Sequence, residues 1–309
     1  MFSYNQIRQF PKLLLAMTSL IPAEFERLPP FFREAWDEYA ARNLVEREGR
    51  KRRYGGGRRE STLVDPEDKL LFILYYAKAY PLQEILAYEF GMAQSTANEW
   101  VHILTGVLKR ALEKGGHLPG RDPKELAEAL QGENAKTYAI DGTERRIQRP
   151  GDDEKQKKYY SGKKKAHTVK NLLVGGVKSK KVNYLSRTFE GKRHDKRIAD
   201  DEAITIPEGA SLYKDTGFQG FEPEGVNTFQ PMKKPRGKEL TPEQKERNRL
   251  ISRVRVVIEN IIAGVKRCHI VKDLFRNTKD MYDDLVMEIA CGLHNFRVFC
   301  RQGAQAYSR

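Results

Sequence analysis

The sequence has few cysteines and no long apolar run, and both absences narrow the classes of protein it can encode. Its 309 residues include three cysteines, Cys268, Cys291 and Cys300, and no CxxC pair. Neither a disulfide framework nor a zinc site is therefore predicted, and a reducing cytoplasm is expected. No apolar stretch approaches the ~20 residues that span a bilayer, so an integral membrane protein is excluded. The N-terminus also lacks the basic, apolar and small-residue order of a secretory signal.

Acidic residues are the minority, with 42 Asp and Glu against 56 Lys and Arg, a net charge of +14. Such a surplus favours a polyanionic partner, and nucleic acid over a membrane because no basic amphipathic helix stands out. The surplus is concentrated, since residues 144–197 hold 18 basic and 6 acidic side chains, a net of +12. A solvated, solubilising face is the alternative interpretation of such a run.

A second basic cluster, at 47–59, surrounds the triplet Gly55–Gly57, which predicts a flexible linker. Two basic runs in one chain, both with tyrosines nearby, favour contact with phosphate. The candidate DNA contacts in this cluster are Arg52, Arg53, Arg58 and Arg59.

Helical periodicity dominates the N-terminal half. Residues 22–45 predict helices interrupted near Pro29–Pro30, and Asp65 followed by Pro66 predicts a helix start. A short helix over 82–90, a turn at Gly91 and a third helix to residue 112, capped by Ser95 or Thr96, complete a helix-turn-helix pattern. A plain three-helix core domain is the alternative. The candidate base-contacting residues of the third helix are Gln94, Ser95, Thr96 and Asn98.

Beyond residue 134 the pattern changes to short strands, which predicts an α/β region. The predicted strands cover residues 137–140, 167–177, 181–190, 211–214 and 227–232. A short helix is predicted over 194–203, and long helices over 241–266 and 278–299, the first of them capped by Thr241.

Two of these strands are expected to end in an aspartate, at Asp141 and Asp215. Carboxylates at the carboxyl ends of adjacent strands project into one crevice, and Gly142 would let the backbone turn away at once. Because close carboxylates repel each other, a cation must neutralise them, and Mg²⁺ or Mn²⁺ suits oxygen ligands. Ordinary turn aspartates are the alternative.

A third candidate carboxylate, Glu259, lies beside the apolar stripe of the long helix. Arg255 precedes it by four residues and Lys266 follows it by seven, so all three share one face. A surface Arg–Glu pair is the alternative. The other carboxylates of this half that a sequence cannot exclude are Asp195, Asp200, Asp201 and Glu202. The spacing favours Glu259 over these four as the third acidic residue of the site.

The ordered set Asp141, Asp215 and Glu259 resembles the acidic triad of the DDE transposases. Finer motifs resemble the bacterial insertion-sequence family five and the related PIF/Harbinger group. They are AIDGTERRIQRP around Asp141, YYSGKKKAHTVK at 159–170, FEGKRHDKRIAD at 189–200, YKDTGFQGF around Asp215 and NRLISRVRVVIENIIAGVKR at 248–267. The resemblance covers about residues 15–300.

The resemblance implies a ribonuclease H-like catalytic domain, with a mixed five-stranded sheet and helices, preceded by an all-α helix-turn-helix region. On this basis residues 1–60 are a helical segment with a basic glycine-rich linker, residues 61–132 a DNA-binding domain and residues 133–309 the catalytic domain.

The same resemblance implies a DNA transposase that binds the terminal inverted repeats of its insertion sequence. It would cleave the ends and join the 3′-hydroxyls to target DNA by two-metal phosphoryl transfer. Asp141, Asp215 and Glu259 would hold two Mg²⁺ or Mn²⁺ ions, with Asp141 bridging both, while Arg255 and Lys266 would contact phosphate.

Further contacts to the DNA backbone are expected from the basic strand region. They are Lys163, Lys164, Lys165 and Lys170. His167 and His194 would either assist the reaction or merely pack, and Tyr159, Tyr160 and Phe218 would stack on a displaced base or, preferably, lie in the core.

The implied partners are double-stranded DNA, as terminal repeats and as target, and a second copy of the chain in a synaptic homodimer. The expected location is the bacterial cytoplasm, at the nucleoid, with no membrane contact. Two other functions remain open: a catalytically silent helix-turn-helix regulator, and a metal-dependent endonuclease without strand transfer. Metal-dependent nicking tests the first, and flanking inverted repeats with a target duplication test the second.

Overall fold

The structure is a computed structural model that describes residues 1–45, 62–124, 126, 130, 136–237 and 239–306. The candidate contacts Arg52, Arg53, Arg58 and Arg59 and the triplet Gly55–Gly57 lie outside these residues. So do four of the eight residues 123–130, over which the sequence also predicts a helix. The chain divides into two compact units. Unit 1 comprises Met1–Leu118, Arg267–Ile270 and Leu285–Arg309, and unit 2 comprises Pro119–Lys266 and Val271–Asp284. The last residues from Leu285 onward therefore group with unit 1, whereas the sequence-based division assigns them to the catalytic segment; that division stays a prediction.

Unit 1 is built of helices. Those in its N-terminal part are α1 (Tyr4–Ile7), α2 (Pro11–Thr18), α3 (Pro22–Phe25), α4 (Pro29–Ala40), α5 (Pro66–Ala79), α6 (Gln83–Glu89) and α7 (Gln94–Lys114). Four of them begin with proline, which suits the first helical position because the N–H it lacks has no intrahelical partner there. The predicted interruption near Pro29–Pro30 is confirmed, since α4 begins at Pro29. A π-helical turn follows α4 over Ala41–Val45.

Helices α5, α6 and α7 have the predicted order of helix, short helix, turn and third helix. Gly91 has a φ of 66° in the turn, a conformation that glycine adopts without steric cost. The turn is complete by Ala93, so α7 begins at Gln94, and the predicted cap at Ser95 or Thr96 is wrong. Residues 70–74 of α5 are all buried, which makes α5 the central helix of this arrangement.

Lys69 connects α5 to its neighbours. Its Nζ atom lies 4.8 Å from the ring centroid of Trp36 in α4 and 5.7 Å from that of Trp100 in α7. The same ammonium donates a hydrogen bond to the Val64 carbonyl at 2.6 Å. Burial lowers the pKa of Lys69, and the cation–π contacts offset part of the lost hydration. The start of the helix-turn-helix is thereby fixed to the helices around it.

Unit 2 is the predicted α/β region. Its elements are β1 (Thr137–Arg146), α8 (Asp153–Tyr159), β2 (Tyr160–Ser161), β3 (Ala166–Gly176), β4 (Val182–Leu185), β5 (Phe189–Glu190), α9 (Asp195–Asp201), β6 (Ser211–Tyr213), β7 (Asn227–Phe229) and α10 (Pro242–Val265). A final helix, α11 (Tyr282–Ala306), begins in unit 2. None of the helices in the described part of the chain combines the length and apolar character needed to cross a membrane.

The strands form one mixed sheet. Its main order is β2-β3-β1-β6-β7, and β4 and β5 also pair with β3. The β1–β3 and β3–β4 pairs are antiparallel, whereas β1–β6 and β6–β7 are parallel. Side chains of these strands, among them Tyr138, Leu172 and Leu212, form the core with Ile198 of α9 and Phe218. The mixed α/β class predicted from sequence is confirmed.

Two strand boundaries differ from the prediction. Strand β1 does not end at Asp141 but continues to Arg146, because β3 pairs with it throughout and Gly142 lies opposite Leu172. The expectation that the chain turns away at Gly142 is therefore wrong. The strand expected over 181–190 is divided into β4 and β5, with residues 186–188 between them.

Helix α10 packs closely on the sheet. A Cβ atom built on Gly175 of β3 would lie 2.7 Å from Ile261 Cδ1 and 2.9 Å from Ile258 Cδ1. A larger residue at 175 would therefore separate helix from sheet. The helix begins with a capping box in which Thr241 and Gln244 exchange hydrogen bonds, so the predicted cap is confirmed.

Candidate active site

Asp141 and Asp215 lie side by side at one edge of the β1–β6 pair. In the parallel register, Ala139 is opposite Tyr213, so both aspartates stand two residues beyond that pair. Asp141 Oδ1 accepts a hydrogen bond from the Gly142 N–H at 2.8 Å, and Asp215 Oδ1 accepts one from Gly217 at 2.7 Å. These local bonds hold both carboxylates close to the backbone of the crevice.

The crevice is unfavourable for negative charge. Burial, and then the charge of Asp215, raise the pKa of Asp141 to about 6, although the Gly142 N–H and Arg255 oppose the change and Asp195 adds to it. Burial disfavours the ionised form, and a neighbouring carboxylate repels it. A cation bound between these groups would relieve both effects.

Asp195, at the start of α9, faces the same crevice. A Cβ atom built on Gly142 would lie 2.8 Å from Asp195 Oδ1, and one built on Gly217 would lie 3.0 Å from Asp195 Oδ2. The glycines that follow Asp141 and Asp215 therefore leave the room that Asp195 occupies. Sequence spacing did not single out Asp195, because its approach depends on how α9 packs against the sheet.

Lys170 on β3 forms an ion pair with this carboxylate. Its Nζ atom lies 2.9 Å from Asp195 Oδ1 and 3.7 Å from Glu144 Oε1, and it donates a hydrogen bond to the Arg193 carbonyl at 2.7 Å. The residue is buried. The prediction that Lys170 contacts the DNA backbone is therefore wrong, because its ammonium is directed into the protein by acidic and carbonyl partners.

Helix α10 brings two cations toward the acidic edge. Arg255 acts electrostatically on Asp141, and Lys266 Nζ donates to the Glu144 carbonyl at 3.3 Å. Burial, followed by the charge of Lys164, lowers the pKa of Lys266. Glu259 has a different setting, since its side chain is 56% exposed and lies 3.8 Å from Arg255. The structure thus brings Glu259 to Arg255 but does not place it beside Asp141.

The carboxylates of the crevice are of the type that binds a divalent ion. No three Asp, Glu, His or Cys side chains of the described residues already have the arrangement of a metal site. The carboxylates of Asp141 and Asp215 nevertheless adjoin and are of the type that Mg²⁺ and Mn²⁺ prefer. Asp195 Oδ1 is buried without a hydrogen bond, since its contact with Lys170 is not aligned as one. The space beside Gly142 and Gly217 completes a crevice that fits such an ion.

Comparison with known proteins adds the family. Residues 140–295, which include all three predicted acidic residues, match the family described as DDE superfamily endonuclease. The chain belongs to the DDE superfamily endonucleases. Residues 61–114 match the helix-turn-helix of DDE superfamily endonuclease. The chain is also similar to a protein of Microchaete diplosiphon named "Probable transposase for insertion sequence element IS702", with 29% identity over 248 residues, 80% of this chain and 86% of that protein. No solved structure matches the chain.

These matches confirm the family assigned from sequence, a transposase of the DDE superfamily with a helix-turn-helix DNA-binding domain. Endonucleases of this superfamily depend on divalent metal ions, which agrees with the crevice described above.

In this endonuclease the predicted base-contacting residues lie at the start of α7. Gln94 and Ser95 are exposed, and Thr96 is half-buried. The side-chain amides of Gln94 and Asn98 both donate to Gln83 Oε1, at 2.7 and 3.1 Å. Gln83 on α6 thus orients two of the four candidates. In the sequence, only the position of Gln83 at the start of a short helix pointed to this role.

The three lysines Lys163, Lys164 and Lys165 of the DDE superfamily endonuclease are exposed in the turn between β2 and β3. Lys165 has a φ of 48°, and the Lys164 N–H donates to Ser161 Oγ at 3.3 Å. Because the charge of Lys164 acts on Lys266, this turn lies on the side of the acidic crevice. Its cations remain candidates for phosphate contact.

The histidine and aromatic candidates differ in exposure. His194 is exposed immediately before α9, and His167 is half-buried on β3. Phe218 is fully buried, as the core interpretation predicts. Tyr159 is half-buried, and burial raises its pKa, whereas Tyr160 is 45% exposed.

Lys214, which precedes Asp215, was also missed by sequence reasoning. It is fully buried, and its ammonium donates to the Phe221 carbonyl and, at 2.6 Å, to Glu222 Oε1. These bonds hold the loop that follows Asp215 in place.

Proposed function

We propose that this DDE superfamily endonuclease binds the terminal inverted repeats of its own insertion sequence, cleaves the element ends and joins their 3′-hydroxyls to target DNA. The observation that carries the proposal is the register of β1 and β6, which sets Asp141 and Asp215 side by side in a crevice that disfavours negative charge.

We also propose that unit 2 is ribonuclease H-like. Support comes from the strand order β4-β3-β1-β6-β7, in which the first three strands alternate in direction and the last two run parallel to β1. Segments 61–132 and 133–309 would then be the DNA-binding and catalytic domains.

Asp141 and Asp215 would hold the divalent ions, and Glu259 would complete the ligand set after its side chain turns from Arg255. When bound, two Mg²⁺ or Mn²⁺ ions would supply charge neutralisation at the scissile phosphate and activation of the attacking oxygen. Asp195 would act as a positioning residue, since its contact with Lys170 holds α9 against the crevice.

The cations of the chain would position the DNA. Arg255 and Lys266 would contact the phosphate that reacts, since each interacts electrostatically with Asp141. The exposed lysines 163–165 would bind the backbone nearby, and the exposed start of α7 would contact base edges in the major groove. Transposition requires that two element ends be held together, so the active form would be a homodimer in a synaptic complex on double-stranded DNA. This complex would act in the bacterial cytoplasm, at the nucleoid.

The proposal is tested with a duplex taken from the end of the element. Asp141→Asn, Asp215→Asn and Glu259→Gln should each abolish Mg²⁺-dependent cleavage, while binding to the end stays within about twofold of wild type. Asp200→Asn is the matched control, because Asp200 is exposed on α9 and pairs with Lys196. Full cleavage by any one acidic variant would remove that residue from the site.

A pre-cleaved end with a free 3′-hydroxyl separates the alternative functions. Joining to a target plasmid supports transposition. Cleavage of intact ends without joining would indicate an endonuclease that lacks strand transfer. Binding with neither reaction would indicate a helix-turn-helix regulator.

A further inference from the structure

An exposed aromatic side chain lies in a basic cavity at the start of β3. The cavity has a volume of about 520 Å³ and is lined by Arg149, Gln156, Lys157, Tyr160, His167 and Lys192. It is called the Tyr160 cavity below. All of these residues belong to unit 2.

The strand pairing builds the aromatic wall of the Tyr160 cavity. Tyr160 of β2 is opposite His167 of β3, and their ring centroids are 5.7 Å apart at an interplanar angle of 69°. The edge of one ring meets the face of the other, and Tyr160 stays 45% exposed. An exposed tyrosine held in this way offers a flat apolar surface to a ligand.

The rest of the Tyr160 cavity is cationic. Arg149 Nε donates to Gln156 Oε1 at 2.9 Å, which fixes the orientation of the amide. Lys157 forms an exposed ion pair with Glu154 at 2.7 Å, a contact that is weak in water. Lys192, which also lines the cavity, is exposed. An aromatic surface with cations around it matches the combination that binds a nucleobase and its phosphates.

The Tyr160 cavity adjoins a second cavity, which lies beside the start of α9. Lys192 also lines this second cavity of about 520 Å³, whose other lining residues include Arg193, His194 and Arg197. His194 directly precedes Asp195, and the Arg193 carbonyl is bonded to Lys170. The two cavities therefore share Lys192, and Glu190 contributes a carboxylate to the lining of the second one.

We propose that the Tyr160 cavity binds an unpaired nucleotide of the DNA substrate, with the base stacked on Tyr160 and the flanking phosphates on Arg149, Lys157 and Lys192. A base inside a duplex has both faces covered by its neighbours, so only a base outside the stack can use the ring. The inference rests on the proposed function, because it takes DNA as the substrate of the adjoining crevice.

The test uses the full chain in EDTA, so that binding is measured without cleavage. Two probes are compared by fluorescence anisotropy: a blunt duplex from the element end, and the same duplex with a short single-stranded extension containing 2-aminopurine. Tyr160→Ala should weaken binding of the extended duplex about 5- to 150-fold, the range of one base–aromatic stack, and leave the blunt duplex within about twofold. It should also abolish the quenching of 2-aminopurine.

Tyr160→Phe is the matched control, because it removes the hydroxyl and keeps the ring. It should retain both the affinity and the quenching of wild type. The proposal is overturned if Tyr160→Ala binds the extended duplex as wild type does, if both probes weaken equally, or if the Phe variant loses as much as the Ala variant. Circular dichroism of both variants verifies that the fold is kept.

Failure of the cavity and failure of the proposed function give different results. If only the cavity is wrong, wild-type protein still prefers the element end and cleaves it with Mg²⁺, whatever residue stands at 160. If the proposed function is wrong, the wild-type chain lacks preference for the element end, cleavage of it with Mg²⁺, or joining of the pre-cleaved end to target DNA. Quenching of the extension alone then still tests the cavity.

Discussion

Replacing Asp141 with asparagine should stabilise the metal-free protein at pH 8. The carboxylate is partly buried beside Asp215, and these two effects raise its pKa from the ordinary 3.8 to about 6. Asparagine keeps an oxygen that can accept the Gly142 N–H, now bonded at 2.8 Å, but it carries no charge. The substitution therefore removes the unfavourable charge with little change in shape.

The sign and size of the effect follow from the two pKa values. Between pH 3.8 and about 6 the folded protein keeps a proton at Asp141 that the unfolded chain has lost. The free energy of unfolding of wild type therefore falls as the pH rises through this window and is level above it. One pKa unit corresponds to about 1.36 kcal/mol, so the loss is at most about 3 kcal/mol. The Asp141→Asn variant should not show it.

Urea unfolding between pH 4 and pH 8, in EDTA, measures this difference. Circular dichroism is the appropriate signal, because both tryptophans, Trp36 and Trp100, lie in unit 1 and report on the other part of the chain. The variant should match wild type near pH 4 and exceed it by up to about 3 kcal/mol at pH 8. Asp200→Asn, which alters an exposed ion pair, should stay within about 0.5 kcal/mol throughout.

Magnesium provides the second arm of this experiment. An ion that binds only the folded state stabilises it by RT ln(1 + [L]/Kd), about 1.4 kcal/mol at ten times Kd. Wild type at pH 8 should gain this stability and Asp141→Asn should gain little. A variant less stable than wild type at pH 8 in EDTA, or a wild-type curve that is flat from pH 4 to pH 6.5, would refute the reasoning.

Two other outcomes are expected. Asp195→Asn removes the negative charge nearest to the buried ammonium of Lys170. Urea unfolding should therefore show a loss of about 2 kcal/mol and cleavage should fall, whereas Asp200→Asn on the same helix should change neither. Equal effects of the two variants would deny Asp195 a positioning role. Alanine at all three lysines 163–165 should make the slope of log K for DNA binding against log salt concentration shallower by up to about 2.7, because each phosphate contact contributes about 0.9. Alanine at Lys178 and Lys180, which follow the other end of β3, is the control and should leave the slope unchanged.

Helix starts and the order of elements could be predicted because their causes are local. Proline at a first helical position marks α3, α4 and α5, and the capping pair Thr241 and Gln244 marks α10. The aspartates could be identified for a related reason, since each follows a short apolar run in the sequence. Their lateral register, which depends on the β1–β6 pairing, confirms that they adjoin.

The length of β1 and the position of Asp195 could not be predicted, because both depend on long-range pairing. Strand β1 passes through Asp141 only since β3 supplies hydrogen-bond partners as far as Arg146. Asp195 reaches the crevice only since α9 packs where Gly142 and Gly217 leave room. In the sequence it was one carboxylate among several.

The basic surplus of residues 144–197 contains two kinds of cation that a sequence cannot distinguish. Lys170 and Arg145 are buried, and Arg145 donates to the Asp283 carbonyl and Asn171 Oδ1, both at 2.6 Å. Such charges hold the sheet and α9 in place and are not available to phosphate. The exposed lysines 163–165 and Lys192 are available. Replacing an exposed cation should therefore reduce the salt dependence of DNA binding. Replacing a buried cation should first reduce the stability of the fold. This difference assigns each charge to substrate binding or to folding.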